Sequence, residues 1–187
     1  MNKPYLFIFT GTSGSGRKTA AHKALENSGI LHIPSCTDRP PRDKERPDQD
    51  YRYVSKEKFN VLNQNGFFTE TVQIDRHRYG IGKRYLVLAL NAGNSVYLVL
   101  NREGSDTIRR IYGERAIRIF LYVDKKTVSE RLESKGTSYE IIDSYLSHYS
   151  EEVTYRKACE HVIENRSLAS TIEQIKKIVN SYLTPAP

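Results

Sequence analysis

An apolar run at residues 5–9 (Tyr5, Leu6, Phe7, Ile8, Phe9) leads directly into Gly11-Thr12-Ser13-Gly14-Ser15-Gly16-Arg17-Lys18-Thr19, and an Ala/Lys/Leu-rich stretch follows. Strand, glycine-rich turn and helix start, in that order, form the context in which backbone amides cradle an anion. Glycines allow successive N–H groups to converge, and the helix N-terminus adds partial positive charge. Gly11 and Gly16 fix the register of the pattern G-x-x-x-x-G-K-[ST]. That register places Arg17 at the lysine position and Lys18 at the hydroxyl position. A frame built on Lys18 and Thr19 would put Thr12 and Arg17 where glycines belong, so it is rejected. The loop reads as a phosphate loop of unusual chemistry.

Strand-like and helix-like segments alternate on either side of it. Apolar strands are predicted at residues 5–9, 31–33, 95–100, 117–123 and 161–163, with short β pieces at 51–54 and 67–72. Helices are predicted from the loop through Ala24 and Leu25, and at 56–63, 104–112 and 125–134, the last capped by Asp124. From Ser167 onward, Leu168, Ile172, Ile175, Ile178, Val179 and Tyr182 share one helical face. Such alternation predicts an α/β fold, a parallel sheet flanked by helices with ligands at the strand C-terminal ends. The polar, Pro/Asp/Arg-rich region from Cys36 to about Lys83 breaks the pattern and reads as an inserted substrate-handling subdomain.

The 187 residues suffice for one domain with a real core. With 38% hydrophobic and 27% charged residues, and no apolar run that spans a bilayer, the composition is that of a soluble protein without a membrane partner. No signal-peptide pattern opens it, and Cys36 and Cys159 lack metal-type spacing, so reduced thiols and a cytoplasmic location are expected. The net charge of +7 is dispersed and carries no aromatic-basic module, which favours polyphosphate handling over nucleic-acid binding. His22, His32, His77, His148 and His161 show no ligand spacing, Tyr145 with Tyr149 reads as packing, and Glu151-Glu152 reads as a solvated helix face.

A second site follows the second strand. Arg39 and Arg42, three residues apart and stiffened by Pro40 and Pro41, can grip one phosphate from two sides. Asp50-Tyr51, Glu70 and Tyr79-Gly80 come next; tyrosine hydroxyls can complete a phosphate cage, and a buried carboxylate can accept two N–H donors from a guanine edge. The plainer alternative is a loop whose arginines pair with Asp38, Asp43 and Asp48.

The order of these parts resembles the guanylate kinase family along nearly the whole chain. The family pattern runs from the glycine-rich loop through S-x-T-T-R-x-P-R, D-Y-x-F-V-S, F-x-E and Y-G-[ST] to an R-L-x-x-R-G lid entrance and a late asparagine. Matching residues are Ser35, Thr37, Arg39, Pro41, Arg42, Asp50, Tyr51, Val54, Ser55, Glu70, Tyr79, Gly80, Arg131, Leu132, Gly136 and Asn165. The resemblance implies a single domain: a core at about 1–35, 84–124 and 157–187, a GMP-binding insert at about 36–83 and a lid at about 125–156. It implies that Arg39, Arg42, Tyr51 and Tyr79 hold the phosphate of GMP, while Ser35, Glu70 and Asn101 face the guanine. Residues 11–19 with Asn165 would hold ATP, and Arg17, Lys18, Arg131 and Lys135 would supply the cations for transfer.

The departures concentrate on the donor side. Lys18 stands where a hydroxyl normally meets magnesium; Val99 and Asn101 replace a pair of acids, leaving no metal ligand. Ile81 removes a hydroxyl from the guanine side, Tyr145 falls at the second lid arginine, and Lys135 lacks the planar fork of arginine. Two readings are therefore expected: ATP-dependent phosphorylation of GMP to GDP with ATP and magnesium as cofactors, by a monomer or homodimer, or a catalytically impaired module that uses the retained GMP-phosphate pocket for a nucleotide or phosphorylated ligand.

Overall fold

The computed structural model describes residues 3–42, 45–134 and 136–184. A five-stranded parallel sheet in the order β2-β7-β1-β8-β9 forms its centre. These strands are β1 (Leu6–Gly11), β2 (Leu31–His32), β7 (Val96–Val99), β8 (Ala116–Tyr122) and β9 (His161–Glu164). They coincide with the five predicted apolar runs to within two residues at each end. β1 is central, its edges paired with β7 and β8 and its two faces covered by helices, so every residue from Leu6 to Thr10 is buried.

Strand alternation divides the core in two. Phe7 and Phe9 face helices α1 (Arg17–Leu25) and α7 (Leu168–Leu183), meeting Ala20, Ala24, Ile175 and Val179. Leu6 and Ile8 face the other way, toward Leu86 and Leu90 of α3 (Lys83–Asn91) and Ile108 of α4 (Arg102–Tyr112). The predicted face of α7 packs as expected, with Leu168, Ile172, Ile178 and Tyr182 closing the margin of the first cluster. α3 has no counterpart among the predicted helices. Its apolar run Leu86–Leu90 has the length of either a strand or a helical turn, and only packing on the sheet decides for helix.

A second, four-stranded sheet in the order β4-β3-β6-β5 lies in the insert. Its strands are β3 (Cys36–Thr37), β4 (Arg52–Tyr53), β5 (Phe68–Ile74) and β6 (His77–Gly82), joined by α2 (Lys56–Gln64), whose first turn Ser55 caps by accepting from the Lys58 N–H. β3 and β6 are too short or too polar to show in the sequence; they exist because they pair with each other, Cys36 opposite Gly80 and Thr37 opposite Tyr79. Two helices, α5 (Lys125–Glu133) and α6 (Tyr139–Thr154), enclose a cluster of their own around Val128, Leu132 and Ile142. Asp124 caps α5 as predicted, accepting from the Thr127 N–H at 2.9 Å. Tyr145 and Tyr149 pack on that cluster.

Among the described residues no helix is long and apolar enough to cross a membrane. Burial pushes the Cys36 thiol up to about 11 and the Cys159 thiol up to about 12, so neither is a reactive thiolate at neutral pH. His22 and His32 pack edge to face against each other, both rings also lie against Tyr97, and burial brings His32 down to about 4.

Candidate active site

β1 delivers the glycine loop to the C-terminal edge of the sheet, where the Thr12 N–H donates to the Leu121 carbonyl at 3.1 Å. Gly14 and Gly16 adopt φ of 73° and 77°, the conformation that turns neighbouring amides toward one side. α1 then starts with no side-chain cap and no acid in its first turn. Its positive end carries Arg17 and Lys18 instead, an arrangement that costs stability unless each cation finds an acceptor. Both do. Arg17 folds back across its own loop, Nη1 donating to the carbonyls of Gly11 (2.8 Å) and Thr12 (3.2 Å). Lys18 reaches away from the loop to Asp50 (2.9 Å) and Glu45 (3.3 Å) of the insert.

The rest of the loop is clamped from the far edge of the sheet and from α5 and α6. Asn165 donates from Nδ2 to the Ser15 carbonyl at 2.7 Å; Arg131 donates to the Asn165 carbonyl at 2.7 Å and to that of Ser15 at 3.4 Å. These two expected residues thus touch the loop backbone, shaping it. Thr19 is exposed on α1, and Lys135 lies outside the described residues. The Ser13 N–H and hydroxyl both donate to Glu152 of α6, each at 2.9 Å. An anionic oxygen therefore already rests on one amide of the loop. Glu152 is thus no solvated helix face, and the sequence conceals this because a contact 139 residues away leaves no local trace.

On the opposite wall, Arg39 is locked from three directions. Nε donates to the Tyr79 hydroxyl at 3.1 Å, Nη1 to the Pro40 carbonyl at 2.9 Å, and Nη2 to both Glu45 oxygens at 2.9 and 2.8 Å. Glu45 is not among the residues expected from the sequence, although it follows Arg42 by only three positions. It also accepts from the Arg42 N–H and the Tyr53 hydroxyl. Burial pushes the Glu45 carboxyl up, but the Arg42 amide, Arg39, Tyr53 and Lys18 outweigh it and bring the group down to about 2. The acids considered as plain partners for the arginines are engaged elsewhere or not described. Asp38 takes Arg78 at 2.8 Å, Asp48 sits 3.6 Å from Arg52, and Asp43 lies outside the described residues.

Elsewhere in the site stands one buried carboxyl. Glu70 is buried, its Oε2 has no hydrogen-bond partner, and Gly104 approaches so closely that a Cβ there would sit 3.0 Å from that oxygen. Burial pushes Glu70 up to about 7, partly opposed by the Ile81 amide. An orphaned carboxylate oxygen in a tight slot suits a ligand that brings N–H donors. Asn101 stands beside it, but its Oδ1 caps α4 by accepting from the Gly104 N–H at 3.0 Å. Ile81 is wholly buried in the second core cluster and faces the sheet.

A raised carboxyl has a stability consequence. Between pH 4.5 and about 7 the unfolded chain has lost the Glu70 proton while the folded chain keeps it, so folding stability falls as pH rises through that window. Glu70→Gln is expected to match wild type near pH 4.5 and to exceed it by up to about 3 kcal/mol at pH 8 in urea titrations. The same variant should lose at least about tenfold in affinity for a ligand presenting N–H donors. Equal pH profiles for the two proteins would sink the assignment.

One cleft of about 660 Å³ joins the walls. Ser35, Arg39, Arg42, Tyr51, Glu70, Tyr79 and Asn101 all line it, together with Gly11, Ser13 and Arg17 of the loop and Tyr145 and Glu152 of α6. Lys18, Asn165 and Arg131 are not among the lining residues, although the Lys18 side chain keeps 30% of its surface exposed. The three positions at which the family pattern offers magnesium a ligand do not supply one here. The ammonium of Lys18 is held by Asp50, Val99 is apolar and the oxygen of Asn101 is spent on the cap. No group of three or more His, Cys, Asp or Glu able to hold a metal occurs among the described residues.

A family model described as Guanylate kinase matches residues 2–182. The guanylate kinase of Bacteroides thetaiotaomicron is 32% identical over 185 residues, covering 94% of this chain and 90% of that protein. The guanylate kinase of Neisseria meningitidis serogroup B is 32% identical over 182 residues, covering 96% and 88%. A crystal structure of guanylate kinase from Anaplasma phagocytophilum superposes with a TM-score of 0.81 at 22% identity, covering all of this chain and 89% of the other. Joined to a glycine loop and an arginine-tyrosine cage on one cleft, these matches place the chain in the guanylate kinase family.

Proposed function

We propose that this protein transfers the γ-phosphoryl group of ATP to GMP, giving ADP and GDP. The observation that carries the reading is the convergence of all seven expected acceptor-side residues on the same cleft as Gly11, Ser13 and Arg17. In the reaction a phosphate oxygen of GMP attacks the γ-phosphorus in line as the bond to the β–γ bridging oxygen breaks. Little covalent chemistry falls to the protein; positioning and charge cancellation supply the rate. Arg39, fixed by Glu45 and Tyr79, and Arg42 hold the acceptor phosphate. Glu70 takes the guanine N–H edge, and its proton leaves as the base docks. Arg17 ties the loop together through Gly11 and Thr12, lines the cleft, and has further N–H groups with which to meet the transferred group.

A coupled assay for ADP with GMP and ATP is the test, run with and without magnesium. Turnover that requires both nucleotides and exceeds ATP hydrolysis alone at least about a hundredfold supports transfer. A second reading, a domain that binds the monophosphate without turning it over, is favoured by Lys18 at the metal position and Tyr145 at the lid. Calorimetric GMP binding with no ADP formed would select it.

A further inference from the structure

We propose that Lys18 is a ligand of the acceptor phosphate: a cation delivered from the donor loop into the cage built by the insert. The inference rests on the acceptor reading above and adds to it a residue that the family pattern does not supply. Its first support is direction. Lys18 lies in the first turn of α1, where an ammonium is disfavoured by the helix dipole, and it reaches to the acids of the insert instead of the loop's own carbonyls. Its Nζ lies 2.9 Å from Asp50 Oδ1 and 3.3 Å from Glu45 Oε1.

The second support is convergence. Arg39 donates to the same Glu45 Oε1 at 2.9 Å, so two cations from different parts of the fold meet on one carboxylate oxygen. Both also stand over the ring of Tyr51, Lys18 Nζ at 5.0 Å from its centroid and Arg39 Cζ at 5.4 Å. Tyr51 lines the cleft with Arg39 and Arg42.

The third support is charge. Arg39 and Arg42 against Glu45 and Asp50 sum to zero; Lys18 makes the cage +1. The added positive charge strengthens the attraction of the cage for a phosphate dianion. An ammonium has three donors, so Lys18 can keep Asp50 and turn a second N–H to the incoming phosphate. At the hydroxyl position a serine is too short to reach either acid.

Calorimetry on the intact chain separates the possibilities, with GMP, guanosine and ATP as titrants and wild type, Lys18→Met, Lys18→Ser and Lys18→Arg as proteins. A circular dichroism melt of each variant first establishes that it is folded. Lys18→Met and Lys18→Ser should each weaken GMP about ten- to a hundredfold, leave guanosine within about twofold, and leave ATP unchanged. Lys18→Arg should recover most of the GMP affinity. Equal losses for GMP and guanosine would make Lys18 a strut between loop and insert and overturn the proposal. Loss confined to ATP would place Lys18 on the donor side and overturn it as well. Wild-type protein that binds neither GMP nor guanosine overturns the acceptor reading itself, and this assignment falls with it.

Discussion

Gly11→Ala is expected to leave little folded protein. Gly11 ends β1 in direct register with Leu121 of β8, at φ 149°, a backbone region that L side chains rarely adopt. A Cβ there would lie 1.9 Å from the Leu121 carbonyl oxygen and 2.8 Å from its carbon. No rotamer relieves that clash, because the obstacle is backbone of the central sheet. Either β1 separates from β8, undoing the pairing from Leu6 to Gly11, or the loop is expelled. The penalty should exceed about 4–5 kcal/mol, comparable to the whole stability of a domain of this size. Soluble expression and a thermal melt check it. A Gly29→Ala control has a different basis: its φ is also positive, but nothing lies within 4 Å of an added Cβ, so only conformational strain of about 1 kcal/mol is expected. A folded Gly11→Ala protein with a near wild-type midpoint would mean that β1 does not end against Leu121.

Arg39→Ala is the largest effect expected on activity. Arg39 is 9% exposed, and its guanidinium joins Tyr79, Pro40 and both oxygens of Glu45. Removing it deletes a buried positive charge and the one guanidinium N–H not engaged by Tyr79, Pro40 or Glu45, and leaves Glu45 beside the acceptor phosphate with one partner fewer. Repulsion adds to lost attraction. A fall in kcat/KM for GMP of about a thousandfold, or about 4 kcal/mol, is expected in the ADP-coupled assay. Lysine at the same position should restore only part of it, since an ammonium cannot span Tyr79 and Glu45 together. A second readout is acid stability. Glu45 is held down to about 2, so its contribution is present above pH 4.5 and is lost as pH falls toward 2. That acid-side loss should shrink in Arg39→Ala. Unchanged kcat/KM would remove Arg39 from the site.

Some of this site is legible residue by residue. Arg39 and Arg42 stand out because two guanidinium groups beside prolines form a local pattern, and Asp124 because a cap needs only the next three residues. Glu45 is equally near in sequence but does not stand out: an acid among Asp43, Asp48 and Asp50 has no distinguishing neighbour until the turn folds. Glu152 on Ser13 and Lys18 on Asp50 are contacts between elements, and side-chain direction is set there by what each element packs against. Asn101 is expected at the base; its cap bond to Gly104 depends on where α4 begins, at Arg102, two residues earlier than the helical pattern suggests. β3 and β6 escape the sequence for the same reason, since a two-residue strand such as β3 is defined by its partner.

The sequence alone determined the loop, the alternation of apolar strands with amphipathic helices, and the ordered set from Ser35 to Asn165 that identifies the family. Each of these rests on local periodicity or spacing, which the chain carries before it folds. Tertiary structure decided where the unusual cations go. Arg17 and Lys18 are adjacent in the sequence, yet one closes on the carbonyls of its own loop and the other crosses to the carboxylates of the insert. Successive residues on a helix leave the axis about 100° apart, so two like charges at one helix end face different walls of the cleft and take different partners.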